Sequence, residues 1–381
     1  MNNTTDTYIS IGSNLGNRLE TIQEAIFLIA KNIGIVKKCS KVYECPAWGF
    51  SGENFLNACL YVQTKLSPEE LLVKLLEIEK KLGRERSANS GYQSRTIDLD
   101  IVYYDTLVLV NSNLTIPHPK LQDRLFVLKP LADIAPQFYH PILKKDTRNL
   151  IQECKDKSVL TKTKYTLFCN KKELLATTQF ISIEGNIGAG KTSLATKISE
   201  DFNAKLVVER FAENPFLPNF YKDQSRYAFP LEMSFLADRY QQFSDDTSQF
   251  DLFKDFMVSD YDIFKSLIFA KVTLQKDEYE LYRKIFNFMY KEVKKPQIYV
   301  YLYQTTERLL ENIKKRGRDY EQGIKTDYLE KINRGYFDFL KGYPKENSLV
   351  IDVTKLDFVA NEKDYQTIID KVLKLAFEQI N

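Results

Sequence analysis

Two periodicities alternate along the first 150 residues. Tyr8 to Ile11 is a short run that reads as a strand, and Leu19 to Ile29 repeats apolar residues at helical spacing. Leu56 to Val62 predicts a second strand, and Pro68 to Leu82, with leucines three and four apart, a helix. Across Arg95 to Tyr104 the alternation Ile97, Leu99, Ile101 predicts a third strand, with Thr96, Asp98 and Asp100 on its opposite face. Between about Thr147 and Thr178 the pattern weakens and lysines accumulate (Lys155, Lys157, Lys162, Lys164, Lys171, Lys172). It resumes with an apolar run, Phe180 to Ile183, and a helix carrying Leu194, Ile198 and Phe202. The expected division is a domain over 1–155, a solvated linker over 156–177, and a second domain over 178–381.

Length agrees, because 381 residues exceed the usual size of one core. The sequence has no twenty-residue apolar span and no charged-then-apolar leader, which predicts a soluble, unexported, cytoplasmic protein without a membrane partner. A formal charge of +3 is too small to imply nucleic acid. Five cysteines, with no C-x-x-C pair, and two histidines argue against a disulfide framework or a zinc site and fit a reducing compartment.

The stretch Gly185-Asn186-Ile187-Gly188-Ala189-Gly190-Lys191-Thr192 lies between the resumed strand and helix, the context a phosphate-binding loop requires. Its backbone amides, at Gly185, Gly188, Ala189 and Gly190, would cradle phosphates; Lys191 would reach the transferred phosphoryl group and Thr192 would coordinate Mg²⁺. Two later apolar runs end in acids, Glu209 and Asp260. In a parallel sheet ligands bind at the carboxyl ends of strands, so Glu209 could take a proton from an acceptor hydroxyl and Asp260 could hold Mg²⁺ or order its water. Either acid alone reads equally as a helix cap or a solvent-facing charge. Lys314-Lys315-Arg316-Gly317-Arg318 fits a mobile basic lid closing on the γ-phosphate, or else a solvated helix end.

In the first half, Asp98 and Asp100 would sit about 6–7 Å apart on one strand face. That spacing suits two Mg²⁺ ions bridged by phosphate oxygens, with Arg84, Arg86 and Arg95 neutralising a polyphosphate. A strand whose acids simply face water fits the spacing equally well.

The surroundings decide between them. Ile9-Ser10-Ile11-Gly12-Ser13-Asn14-Leu15-Gly16, Tyr43 to Asn57, Arg95 to Asp100 and Pro117-His118 occur in order. From about Tyr8 to Leu150 the chain resembles the 6-hydroxymethyl-7,8-dihydropterin pyrophosphokinases of folate biosynthesis. The resemblance implies an α+β, ferredoxin-like domain that moves pyrophosphate from ATP to the pterin hydroxymethyl group. It makes Asp98 and Asp100 metal ligands, sets Arg84 and Arg95 on the triphosphate, and places Glu79, His118 and Arg124 at ATP. Asn57 would read the pterin edge, with Phe55 and Phe126 stacked on its ring; without the resemblance, core packing is the plainer reading of both rings and a structural role that of His118. Where the family often shows Trp-Gly-Pro, this chain has Tyr92-Gln93-Ser94, which bears on loop closure and removes no ligand.

Roughly from Gln179 to Ile369 the chain resembles the deoxynucleoside kinases, an α/β P-loop fold with a parallel sheet flanked by helices. The matching segments are Glu184 to Ser193, Glu209 with Asn214-Pro215-Phe216-Leu217, Phe220-Tyr221, Arg226-Tyr227-Ala228-Phe229, and Arg316-Gly317-Arg318 with Glu321-Gln322-Gly323. The resemblance makes Glu209 the base, puts Tyr221 and Glu321 on the sugar 3′-hydroxyl, and makes Arg316 and Arg318 the lid. Two departures bear on substrate: Glu232 stands where many members have glutamine, and Asp260-Tyr261-Asp262 lacks the arginine of the usual acid-Arg-Ser/Thr triplet. Both departures resemble the bacterial deoxyguanosine kinase branch. An ionised Glu232 can accept from N1–H and the 2-amino group of guanine, whereas a neutral one can serve adenine. Arg239, two turns on, could reach the base or pair with Glu232.

The combined expectation is a bifunctional transferase using Mg²⁺ and ATP in both halves, with a purine-leaning second half. Its partners would be small molecules (ATP, the pterin, a deoxynucleoside), with no nucleic acid and a homodimer through the kinase domain. A catalytically silent regulatory second half is the alternative. A thymidylate-type kinase would need a further cationic pocket, which the sequence does not offer.

Overall fold

The computed structural model describes residues 4–47, 52–84, 94–210, 214–248, 253–291 and 293–381. Two compact units emerge, one of residues 1–173 with 380–381 and one of residues 174–379.

In the first unit β1 (Thr5–Ser13) leads into α1 (Arg18–Asn32), whose first turn is capped by the Asn17 side chain. Strands β2 (Gly34–Cys39), β3 (Tyr43–Cys45) and β4 (Phe55–Thr64) follow, then α2 (Pro68–Lys81) and β5 (Asp98–Tyr104). Ser67 and Glu70 close a reciprocal capping box on α2, with Pro68 in the first turn, where its missing N–H costs nothing. A small hairpin, β6 (Leu109–Val110) and β7 (Thr115–Ile116), precedes helices α3 (Leu125–Ile134) and α4 (Thr147–Glu153), and β8 (Thr161–Lys162) closes the sheet. The strand order is β5-β1-β4-β3-β8, with β2 also on β4, and every pairing in it is antiparallel. One face buries Ile9, Ile11, Ile26, Leu71, Leu75 and Leu99 in a core with α1 and α2. The other buries Cys59, Val102 and Tyr103 with Leu128 and Leu131 of α3 and Leu150 of α4. Each fully buried aliphatic contributes about 1.5–3 kcal/mol, so the two-faced burial is what holds the sheet.

Two expectations change here. The strand expected from Arg95 begins three residues later, because the Arg95 N–H is taken by the Asn14 side chain (2.6 Å), which holds 95–97 as a loop. Thr96 therefore lies outside the strand that carries Asp98 and Asp100. The solvated linker expected over 156–177 is also corrected, since much of it is part of the first unit. β8 pairs with β3, Leu167 and Phe168 are buried, and the Cys39 and Cys169 sulfurs are 3.6 Å apart. The buried Gln23 amide clamps the backbone of Phe168 through two 2.9 Å bonds, one to its carbonyl and one from its N–H. Replacing Gln23 with alanine removes both bonds and is expected to destabilise the unit by about 1–3 kcal/mol. Thermal unfolding, with limited proteolysis of 155–170, measures that loss.

Helix α5 (Lys171–Ala176) carries the chain into the second unit. There β9 (Phe180–Gly185), α6 (Lys191–Phe202) and β10 (Lys205–Val207) are followed by α7 (Leu217–Phe220), α8 (Gln224–Ser248) and β11 (Met257–Ser259). Next come α9 (Lys265–Thr273), α10 (Lys276–Tyr290), β12 (Ile298–Tyr303), α11 (Thr306–Arg316), α12 (Thr326–Lys341), β13 (Ser348–Asp352) and α13 (Glu362–Ile380). The five strands are all parallel in the order β10-β11-β9-β12-β13. That order sets the carboxyl ends of β10, β11 and β9 side by side, and the segments leaving them meet at one edge. Among the described residues no helix is long and apolar enough to cross a membrane.

Candidate active sites

The first site forms around Gly12 on β1, between β4 and β5. Register places Asn57 of β4 on one side of Gly12 and Asp98 of β5 on the other, with Asp100 opposite Ser10. A side chain at residue 12 would crowd Asn57 Oδ1, 3.1 Å from its Cβ, while meeting Phe55 at an ordinary 3.7 Å, so glycine leaves room for the amide. Arg84 and Arg95 each donate to Asp98, at 2.6 Å, and Arg84 also pairs with Glu79. Asp100 lies 3.8 Å from Arg124 and 3.9 Å from His118. Its carboxyl is pushed up to about 6, first by removal from bulk water and then by the Asp98 charge. His118 is pushed down to about 4 by burial and the Arg124 cation, which leaves it neutral at pH 7.

The expected residues thus gather at one end of the sheet, but two are tied to protein. Glu79 is 2% exposed; its carboxylate accepts from the Leu99 N–H (2.9 Å) and from Arg84, which makes it a support for β5 and the arginine. The buried Asn57 amide donates to Cys45 Sγ at 3.2 Å, so it is already oriented. Phe55 and Phe126 are half-buried, and the Arg124 guanidinium stands 5.7 Å from the Phe126 ring. Arg124 Nε is buried with no partner among the described residues, an unmet donor facing this cluster. Asn14 was given no role by the sequence reading, yet it ties three segments together. Its amide donates to the Glu53 carbonyl and Ser94, and its oxygen accepts from Arg95 N–H. Arg86, Tyr92 and Gln93 lie outside the described residues.

In the second unit the phosphate loop leaves β9 and enters α6. Gly190 has φ +86° and lies under Phe358, 2.7 Å from where a Cβ would be, so both backbone and space require glycine. Asn186 anchors the loop to α12 through Leu329 O and Asn333 (2.8 Å each). Lys191 bonds the Asn186 carbonyl at 2.9 Å, and burial lowers it to about 8. Thr192 donates to Asp260, whose other oxygen accepts from the Glu209 N–H at 2.8 Å. Asp260 therefore stands at the hydroxyl expected to hold Mg²⁺, despite its altered triplet.

Glu209 is fixed by two buried cations. Arg239 donates to Oε1 through Nε (2.8 Å) and a terminal nitrogen (2.6 Å), and Lys265 donates to Oε2 at 2.6 Å. Burial alone would raise this carboxyl; Lys265 and Arg239 reverse that and hold it well below the usual carboxylate range. Arg239 thus pairs with Glu209 and Ser266 rather than with Glu232, correcting one expectation. The charge expected lost with the triplet's arginine is supplied by Lys265 at the start of α9. Sequence reasoning missed Lys265 because nothing in its local pattern marks it; only its position five residues past Asp260 gave a signal.

One cavity is lined by Gly188, Lys191, Thr192, Glu209, Tyr221, Glu232, Arg239, Asp260, Arg316, Arg318 and Glu321, all expected, and by Lys265, Phe235, Phe269 and Tyr328, which were not. Arg316 ends α11 and Arg318 follows it, with Gly317 (φ +73°) reversing the chain between them, and both pair with Glu321. The lid is thus held by the acid expected at the sugar. Glu232 is 2% exposed, and burial pushes it up to about 7.

A phosphate loop, a carboxylate and a basic lid around one cavity on a parallel sheet define a P-loop phosphotransferase. Residues 181–376 match the family model "Deoxynucleoside kinase", and residues 8–136 match "7,8-dihydro-6-hydroxymethylpterin-pyrophosphokinase (HPPK)". A deoxyguanosine kinase of Bacillus subtilis is 37% identical over 203 residues, covering 52% of this chain and 98% of that protein. A 2-amino-4-hydroxy-6-hydroxymethyldihydropteridine pyrophosphokinase of Synechocystis sp. is 42% identical over 146 residues, covering 38% of this chain and 74% of that protein. A solved deoxyadenosine kinase from M. mycoides with bound dATP has a TM-score of 0.45 at 26% identity, covering 51% of this chain and 98% of that one. The chain belongs to the HPPK family over its first unit and to the deoxynucleoside kinase family over its second. It is a fusion of two ATP-using transferases.

Proposed function

We propose that the first unit transfers pyrophosphate from ATP to the hydroxymethyl group of 6-hydroxymethyl-7,8-dihydropterin. The second unit, on the same reading, transfers the γ-phosphate of ATP to the 5′-hydroxyl of a purine deoxynucleoside, deoxyguanosine above deoxyadenosine. The cavity that joins Lys191 and Thr192 to Glu209 and Glu232 carries the kinase reading. The deoxyguanosine kinase relative supports the purine.

Among the described residues no three acids, histidines or cysteines cluster as a metal cage. That suits Mg²⁺, which keeps waters and takes one or two protein oxygens beside substrate phosphates. Asp98 and Asp100 would hold it in the first unit, Thr192 and Asp260 in the second, and it would neutralise charge on the phosphates. Arg84 and Arg95 then turn from Asp98 to the triphosphate, while Glu79 and Asn14 keep them in place.

A carboxylate held as low as Glu209 is a weak base. The loose transition state of phosphoryl transfer tolerates this, because the hydroxyl needs orientation early and loses its proton late. Lys265 and Arg239 keep Glu209 ionised and aimed. Tyr221 and Glu321 would meet the 3′-hydroxyl once Arg316 and Arg318 leave Glu321 for the phosphates. The reading keeps the cytoplasmic setting and the dimer through the kinase unit.

The test is ATP-dependent phosphorylation of the four deoxynucleosides by the full chain without pterin. Deoxyguanosine turnover above the rest is expected. No turnover of any, with ATP still bound, would reduce the unit to a nucleotide-binding regulator.

A further inference from the structure

Two cysteines from distant parts of the chain meet in the first unit, both partly open to solvent. Cys39 ends β2, and Cys169 follows the buried Phe168 just before α5. They stand 130 residues apart in sequence, yet their sulfurs are 3.6 Å apart, within hydrogen-bond contact. A disulfide bond is about 2.05 Å long, so roughly 1.5 Å of approach separates this contact from a bond, and side-chain rotation can supply it. The backbone on either side is fixed. Cys39 pairs with Leu60 of β4. Gln23 holds both backbone groups of Phe168, and the Cys169 N–H donates to Glu173 at 2.7 Å. The fold itself therefore presents the two sulfurs to each other.

The other three cysteines differ. Cys45, Cys59 and Cys154 are buried. Removal from water pushes the Cys45 thiol up to about 11 and raises those of Cys59 and Cys154. In the Cys39–Cys169 pair a proton lies between the sulfurs. Donated by Cys39, it holds Cys169 below the usual thiol range and Cys39 well above it. The thiolate is the form that attacks a disulfide, and access decides which thiol is reached. Cys169 is thus placed as the nucleophile, with Cys39 as the second thiol behind it.

We propose that Cys39 and Cys169 form a reversible dithiol–disulfide site, oxidised by low-molecular-weight disulfides, whose bond staples the 161–169 stretch to β2. In the first step the Cys169 thiolate attacks one sulfur of the reagent, forming a mixed disulfide and expelling the other half as a thiolate. Cys39 then gives its proton to solvent and attacks Cys169 Sγ, expelling the second half. Two protein thiols become one disulfide, and the reagent disulfide becomes two thiols. In a reducing compartment the pair rests as thiols and closes when the disulfide fraction of the thiol pool rises. Neither assigned reaction is needed for this chemistry.

The experiment incubates the reduced full chain with oxidised glutathione, quenches it in acid and counts free thiols under denaturing conditions. Five thiols are expected before treatment and, with two in the bond, three after it. Peptide mass spectrometry should find one Cys39–Cys169 cross-link, and dithiothreitol should restore all five thiols. Cys39→Ser should keep glutathione on Cys169, because no second thiol resolves the adduct. Protease cleavage within 155–170 should slow about tenfold in the oxidised chain, since closing a long loop restricts local opening. Retention of all five thiols, a lasting glutathione adduct on wild-type Cys169, or a cross-link through Cys45, Cys59 or Cys154 would overturn the inference. Unchanged cleavage in a chain shown to carry the bond would overturn the stapling.

Discussion

Glu209→Gln is expected to lower deoxynucleoside phosphorylation by about 10²–10⁴-fold, the range of a lost general base. ATP binding should survive, because Lys191 and the loop amides do not depend on that carboxylate. The amide keeps the size of the side chain but loses the charge that Arg239 and Lys265 share at 2.6–2.8 Å. Two buried cations are then left facing a neutral group, so some loss of stability should accompany the loss of turnover. Single-turnover kinetics with saturating nucleoside, beside ATP titration, separates the effects. Unchanged turnover in a folded protein would remove Glu209 from the chemistry.

Asp98→Asn should lower pyrophosphoryl transfer about 10³-fold. A metal's charge stabilisation is worth several kcal/mol, and each 1.36 kcal/mol is tenfold in rate. The same substitution frees Arg84 and Arg95 from their 2.6 Å bonds, so the triphosphate should bind at least as well as in wild type. A fall in kcat without a rise in KM for ATP is the signature. A raised KM with normal kcat would make Asp98 an anchor for the arginines and nothing more.

Much of this was legible in the sequence because its signals are local. The phosphate loop sits between a strand and a helix that both announce themselves by periodicity, and Glu209 and Asp260 each end a short apolar run. Asp98 and Asp100 share a face by simple alternation. What the sequence hid depends on partners far along the chain. The Gln23 clamp on Phe168 spans 145 residues, so 161–169 reads as a polar connector until its partner is seen. Lys265 is one of many lysines, and only the fold places it 56 residues from its carboxylate in sequence and 2.6 Å away in space. Arg239 shows the same limit from the other side: helical spacing left it to reach the base or to pair with Glu232, two turns back, yet the guanidinium pairs with Glu209. Asn14 lay inside a quoted motif, but its three-way bonding needs the loop ends at Glu53 and Ser94 brought to it.

The measurement that tests the account most directly assays both reactions on three full-length proteins: wild type, Asp98→Asn and Glu209→Gln. Two independent sites on one chain predict that wild type performs both, that Asp98→Asn loses only pyrophosphoryl transfer, and that Glu209→Gln loses only nucleoside phosphorylation. A wild-type chain with one activity alone, or a single substitution that abolishes both in a folded protein, would contradict it.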